Sequence, residues 1–295
     1  MTPISRRLFV FGGAPLFPYL YLERLAVAIK RYQIPVVSLP AEFDGFTILH
    51  LTDLHDKEFG RDGSELLALL DTEQFDVVAL TGDLVVSATS LLTPALRLVE
   101  GLKSRPVFAV SGNHEWNSER GEEICEKLRQ AGAEVLSNTS HTFRKGAGRL
   151  SIVGVDDPVT GRASLRKALS TATGEGPRLL LAHSPQIYEE AVQEKVDVVL
   201  AGHTHGGQLR LPVFGAPYVP SMGIFPPYDY GVYSSGKTSM IVNAGLGESL
   251  LPVRFNIRPE VVLVSIFRAT TPHPHPVPLA PRAEEEMTQR AYSFR

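Results

Sequence analysis

Residues 198–208 read Val198-Val199-Leu200-Ala201-Gly202-His203-Thr204-His205-Gly206-Gly207-Gln208. The apolar run Val198 to Ala201 reads as a strand. Gly202 permits a tight turn and a close backbone approach, and two imidazoles follow at the strand's carboxyl end.

The same arrangement recurs four times earlier in the chain. A strand at Phe46 to Leu51 leads to Asp53-Leu54-His55, and one at Val77 to Leu80 leads to Gly82-Asp83. Val107 to Val110 leads to Gly112-Asn113-His114-Glu115, and Leu179 to Ala182 leads to His183. Further strands are expected at Leu150 to Val155, Met240 to Asn243 and Val261 to Phe267, with helices at Glu65 to Thr72, Leu91 to Lys103 and Asn117 to Ala131. Gly132 is a natural C-cap for the last of these, and Ser184-Pro185 opens another helix with an N-cap residue and proline at the first position. Strands alternating with amphipathic helices predict sheets covered by helices. In such sheets ligand sites gather beyond the carboxyl ends of the strands, so the polar strand-end residues can share one site.

Five of the nine histidines lie in these motifs. A lone histidine is more often a core or surface residue than a ligand, and His50, inside the first strand, and His141 fall in that class. Five histidines with two aspartates and an asparagine at equivalent positions are different, because buried carboxylates and imidazoles are costly unless a cation or proton compensates them. Asp156 and Asp157 also end a strand, where capping is as good a reading as substrate contact.

The rest of the composition narrows the chemistry. The chain has 295 residues, 43% of them hydrophobic and 21% charged, with a formal net charge of −3, which offers no general attraction to nucleic acid. A single cysteine, Cys125, leaves no material for an intrachain disulfide or a thiolate-rich zinc site. No nucleotide-binding glycine loop or Ser/His/Asp order supports a kinase or serine hydrolase.

Three stretches organise the chain: residues 1–30, a domain over 31–269 and a tail over 270–295. Arg6-Arg7 before a mostly apolar run from Val10 to Leu22 has the order of a twin-arginine export leader, and Ala26-Val27-Ala28 offers a cleavage pattern. Pro15, Pro18 and Glu23-Arg24 fit an uncleaved membrane-surface anchor as well, and an amphipathic helix on a cytoplasmic enzyme is the third reading. The proline-dense stretch Thr270 to Pro281 and the polar end, with His273 and His275, read as a disordered tail.

In this order and spacing, Asp53-x-His55, Gly82-Asp83, Gly112-Asn113-His114, His183 and Gly202-His203-x-His205 resemble the calcineurin-like metallophosphoesterases over about Phe46 to Phe267. The run from Gly202 to Gln208 and the segment Pro252-Val253-Arg254-Phe255-Asn256-Ile257-Arg258-Pro259-Glu260 look more narrowly like the bacterial branch of YkuE and YaeI phosphodiesterases. The resemblance implies an α/β fold, a four-layer α-β-β-α sandwich of two mixed sheets flanked by helices. It implies two divalent metal ions (manganese, iron, zinc or nickel), one held by Asp53, His55 and His205 and the other by Asn113, His183 and His203, with Asp83 bridging. Two cations about 3.5–4 Å apart lower the pKa of a shared water and clamp an in-line displacement at phosphorus, so no nucleophilic side chain is needed. His114 matches the family histidine that contacts the phosphate or assists the leaving group, an effect of about 10²–10⁴-fold. Glu115 stands where many relatives have aspartate, which leaves the orientation of His114 open. Because branch members commonly carry a twin-arginine leader, the resemblance favours the cell envelope and association with the membrane surface through the N-terminus.

The expected substrate is a small-molecule or lipid-linked phosphodiester. A diphosphate bond in a nucleotide-sugar lipid precursor is the alternative, and a non-catalytic metal-binding scaffold is the competing class. No nucleic-acid partner is expected, and nothing in the sequence sets an oligomeric state. The long Pro-, Gly- and aromatic-rich segment between His205 and Met240 reads equally as a wall of the substrate cleft and as a self-packed loop.

Overall fold

Strands in this chain sort into two sheets because most offer an apolar face on both sides. The computed structural model describes residues 16–249, 251–270 and 277–278. The Arg6-Arg7 motif and tail residues 271–276 and 279–295, with His273 and His275, lie outside the described residues.

After a helix α1 (Leu16–Leu25), the chain lays down β1 (Ala28–Val37), β2 (Thr47–Leu51), β3 (Val77–Thr81), β4 (Val107–Val110) and β5 (Ala133–Val135). The intervening helices are α2 (Ser64–Asp71), α3 (Thr93–Leu102), α4 (Asn113–Asn117) and α5 (Gly121–Ala131). The second sheet takes β6 (Thr139–Lys145), β7 (Gly148–Gly154), β8 (Arg178–Leu181) and β9 (Val198–Ala201), with α6 (Leu165–Ser170) and α7 (Tyr188–Gln193) between them. A small hairpin, β10 (Tyr218–Val219) and β11 (Gly223–Ile224), precedes β12 (Gly231–Ser235) and β13 (Thr238–Val242), and β14 (Glu260–Ala269) and β15 (Val277–Pro278) return to the first sheet. The strand orders are β15-β1-β14-β2-β3-β4-β5 and β12-β13-β9-β8-β7-β6, both mixed.

Side-chain alternation divides the core into three layers of packing. In β2, Leu49 and Leu51 pack with Leu66, Val99 and Ile124 of the helices, whereas Ile48 turns to the second sheet and meets the layer of Leu150, Leu179 and Leu200. On the far side, Val153, Leu180 and Val199 pack with Leu165, Ala168 and Ala191. Helix, sheet, sheet and helix therefore follow one another, the four-layer α/β sandwich that the resemblance implied. No described helix is long and apolar enough to cross a membrane.

All eight expected strands form, while β1, β5, β6, β12 and the two-residue strands β10, β11 and β15 escape the sequence reading. In β1 only Tyr32, Ile34 and Val36 are buried, and Lys30, Arg31, Gln33 and Pro35 break up the apolar pattern. The helix expected from Asn117 to Ala131 starts later, at Gly121: Asn117 is the last residue of α4, the chain turns at Glu119 (φ 60°), and the Trp116 ring lies against Gly121. Gly132 caps α5 at φ 113°, as expected.

Candidate metal centre

β2, β3 and β4 of the first sheet and β8 and β9 of the second end at one place, and the loops leaving them are laced together. Asp53 N donates to Gly82 O (2.9 Å), His55 N to Asp83 O (3.1 Å) and His203 N to Asp53 Oδ2 (2.9 Å). Space there is short. A Cβ on Gly202 would stand 2.1 Å from Thr52 Oγ1, and one on Gly112 would stand 2.3 Å from Asp83 Oδ1. Asp53, His55, Asp83, His203 and His205 all adopt left-handed φ, between 47° and 71°. Such backbone is uphill for residues with a Cβ and persists where the surroundings over-determine it, as functional sites do.

The eight side chains expected from the sequence come together. His183 Nε2 lies 3.1 Å from Asp83 Oδ2, from Asn113 Oδ1 and from His203 Nδ1. His55 Nε2 faces His205 Nε2 at 3.0 Å, and His205 Nε2 is 3.4 Å from Asp53 Oδ1. Asp83 Oδ2 also reaches His55 at 3.8 Å and His114 at 3.9 Å. Three sets could each hold a metal ion: Asp53, His55 and His205; Asp83, His183 and His203; and His55, Asp83 and His114. Asp83 belongs to two of them.

Three of the five imidazoles are held in a defined tautomer. Nδ1 of His55, His183 and His114 faces the carbonyls of Val85 (3.2 Å), Thr81 (2.8 Å) and Val86 (2.8 Å). A carbonyl only accepts, so each Nδ1 carries the proton, and in the neutral ring Nε2 turns a lone pair to the cluster. His203 is reversed: its Nδ1 faces the cluster, while Nε2 lies 2.6 Å from Ser221 Oγ at the tip of the β10–β11 hairpin. Partners of this type set ring orientation in metal sites.

Without a cation the charges are poorly matched, which is the test of whether one fits. Asp53 and Asp83 are buried, and Asp53 Oδ1 and His205 Nδ1 have no hydrogen-bond partner. Burial pushes Asp53 up to about 7 and drives His55 and His203 down to about 4 and about 3. Burial opposes a charged His183 too, but the Asp83 carboxylate against it lifts it to about 10. A donor set of imidazole nitrogens and carboxylate and amide oxygens, with acceptors left open at its centre, suits a divalent transition metal.

Several residues that support this geometry had no such role in the sequence reading, although Glu115 and Arg254 stand in quoted motifs. Glu115, next to His114, does not orient that ring, which hangs on Val86 O. Its buried carboxylate instead accepts from the N–H groups of Gly112 (2.7 Å), Asp83 (2.9 Å), Leu84 (2.7 Å) and Val85 (3.3 Å), tying α4 to the loop after β3. Arg254, wholly buried, donates to the carbonyls of Ala244, Gly245, Gly247 and Arg258. The loop it fastens lies on Asp53, with Gly247 N donating to Asp53 O at 2.6 Å. Ser221 was hidden in the aromatic-rich segment. The inner part of that segment packs on itself and on the sheet: Asp229 accepts from Arg210 and Ala216 N, and Tyr230 donates to Glu260.

The remaining polar candidates have local roles. His50 Nε2 pairs with Thr81 Oγ1 (2.8 Å), and burial drives its pKa down to about 3; His141 pairs with Glu134 (2.9 Å). Asp156 accepts from Ser111 Oγ and Trp116 Nε1, and Asp157 caps the turn at Val159 and Thr160.

Comparison with known proteins adds an independent line. Residues 46–207 match the calcineurin-like phosphoesterase family model. The uncharacterized metallophosphoesterase YkuE of Bacillus subtilis is 28% identical, over 83% of this chain and 87% of its own. Phosphodiesterase YaeI of Escherichia coli is 34% identical, over 75% of this chain and 82% of its own. A second Bacillus subtilis metallophosphoesterase, YkoQ, is 30% identical over 78% of this chain and 86% of its own.

Proposed function

Because the chain belongs to the calcineurin-like phosphoesterase family of metal-dependent phosphoric ester hydrolases, we propose that it is a phosphodiesterase working with two divalent cations at the Asp83 cluster. Asp53, His55 and His205 would hold one ion and Asn113, His183 and His203 the other, with Asp83 shared. Bound there, such a pair supplies acidification of a water and neutralisation of phosphoryl charge.

The chain's own residues do the rest. Val86 O anchors His114 by Nδ1, so its partly exposed Nε2 is left to meet the phosphate or the departing alkoxide oxygen. Ser221 and the carbonyls of Thr81 and Val85 keep the ring nitrogens aimed, and Glu115 keeps the loop carrying Asp83 in register. The burial of Asp53, Asp83 and His183 keeps bulk water from competing at the donor atoms.

The observation that carries the reading is the open acceptor set, with Asp53 Oδ1 unpartnered among converging imidazoles. A diester is favoured over a monoester by the likeness to YaeI. The test is hydrolysis of bis(p-nitrophenyl) phosphate beside p-nitrophenyl phosphate, after loading with manganese, nickel, zinc or iron. The expected result is a kcat/KM for the diester at least about tenfold higher, abolished by chelation. A preference for the monoester with every metal would overturn the diester reading.

A further inference from the structure

We propose that the apolar strip beside the metal cluster is a membrane-docking surface, on which the protein sits against a lipid layer. The inference stands on surface observations and does not rest on the hydrolytic reading.

Exposed large hydrophobic side chains are unevenly placed. Ten of the twelve among the described residues fall in α1, in residues 209–225 or at Leu251. The most prominent are Val213 (101% exposed), Ile224 (76%) and Phe214 (73%), with Leu251 at 61%. Monomeric proteins seldom show apolar side chains in such concentration without a binding role.

The three stretches are joined by direct contacts. Gln208 Nε2 donates to Leu251 O (2.7 Å), and Arg210 N donates to Phe255 O (3.0 Å). The Tyr19 ring of α1 packs edge-on against Phe255 (5.9 Å), and Arg258 pairs with Glu23 of α1 (2.9 Å). The hairpin at the other end carries Ser221 to His203, so the strip borders the cluster.

Its shape and its attachments select the occupant. Val213 and Phe214 stand on the tight turn closed by Leu211 and Gly215, and Ile224 stands on the two-residue hairpin strand β11. Side chains projecting singly from turn tips can enter a fluid layer, whereas a folded partner would need a matching surface for each. In the sequence, Arg6 and Arg7 and then a mostly apolar run from Val10 precede α1, an order that suits lipid phosphates and the acyl boundary beneath them.

The experiment is co-sedimentation of the full chain with vesicles of phosphatidylcholine and phosphatidylglycerol in equal parts. The comparison is the triple variant Val213→Ser, Ile224→Ser, Leu251→Ser, with thermal midpoints confirming that both are folded. The expected result is binding by the parent chain and a loss of at least about tenfold in the variant. A Phe214→Trp chain reports position: its added fluorescence is quenched by brominated phosphatidylcholine beyond that of Trp116 alone. No binding by the parent chain overturns the proposal. Equal binding by the variant also overturns it, assigning attachment to the N-terminal run, and self-association lost in the variant would assign the strip to a second copy of the chain.

Discussion

Glu115 and Asp53 are both carboxylates buried beside the same cluster, with 1% and 0% exposure, yet they are treated in opposite ways. Four backbone N–H groups converge on Glu115 and satisfy both its oxygens. Asp53 receives Thr52 Oγ1 and His203 N on Oδ2, whereas Oδ1 is left among imidazole nitrogens at 3.4 and 3.9 Å. A buried charge that its own chain satisfies fastens the architecture. One left open on a single side could hold a cation.

That contrast can be broken at several points, beginning with the largest effect. Asp83→Asn removes the anion shared by two of the candidate sets, and activity should fall by about 10³-fold or more. Elemental analysis should show both ions lost, and retention of two metals would contradict the shared role. His114→Ala should lower kcat by about 10²–10⁴-fold while metal content stays unchanged. Metal loss in that variant would make His114 a ligand. Ser221→Ala should weaken metal affinity by about 10–100-fold in a chelator competition, since it frees the outer nitrogen of His203. Unchanged affinity would detach the hairpin from the site.

The subtlest test compares the two carboxylates in metal-free protein by denaturant unfolding. Glu115→Gln places an amide against backbone donors and should cost about 2–3 kcal/mol. Asp53→Asn removes an uncompensated buried charge and should be neutral or stabilising. Equal losses in both variants would erase the distinction.

The sequence made the strand ends legible because the ligand-type residues follow apolar runs directly, so periodicity and position reinforce each other at Asp53, Asp83, His183 and His203. The supporting residues were not legible in that way. Glu115 acts through backbone N–H groups that leave no trace in side-chain patterns. Ser221 meets His203 only because a hairpin folds back over it, and Arg254 acts on carbonyls of a loop several residues away. The strand β1 was hidden by its polar edge positions and by the apolar run ahead of it, whose order resembles a leader. Asn113 and His114 were expected past a strand end and ahead of a helix from Asn117; they instead open α4, where Glu115 accepts from Gly112 N.

The position of β1 also sets a schedule for synthesis. It pairs in parallel with β14, Ala28 opposite Glu260, so β1 leaves the ribosome long before the neighbour that closes its ladder. At about 5–20 residues per second, β1 waits roughly 10–45 s with its ladder groups unpaired. During that interval the first sheet also has an open edge at β2, which β14 later covers.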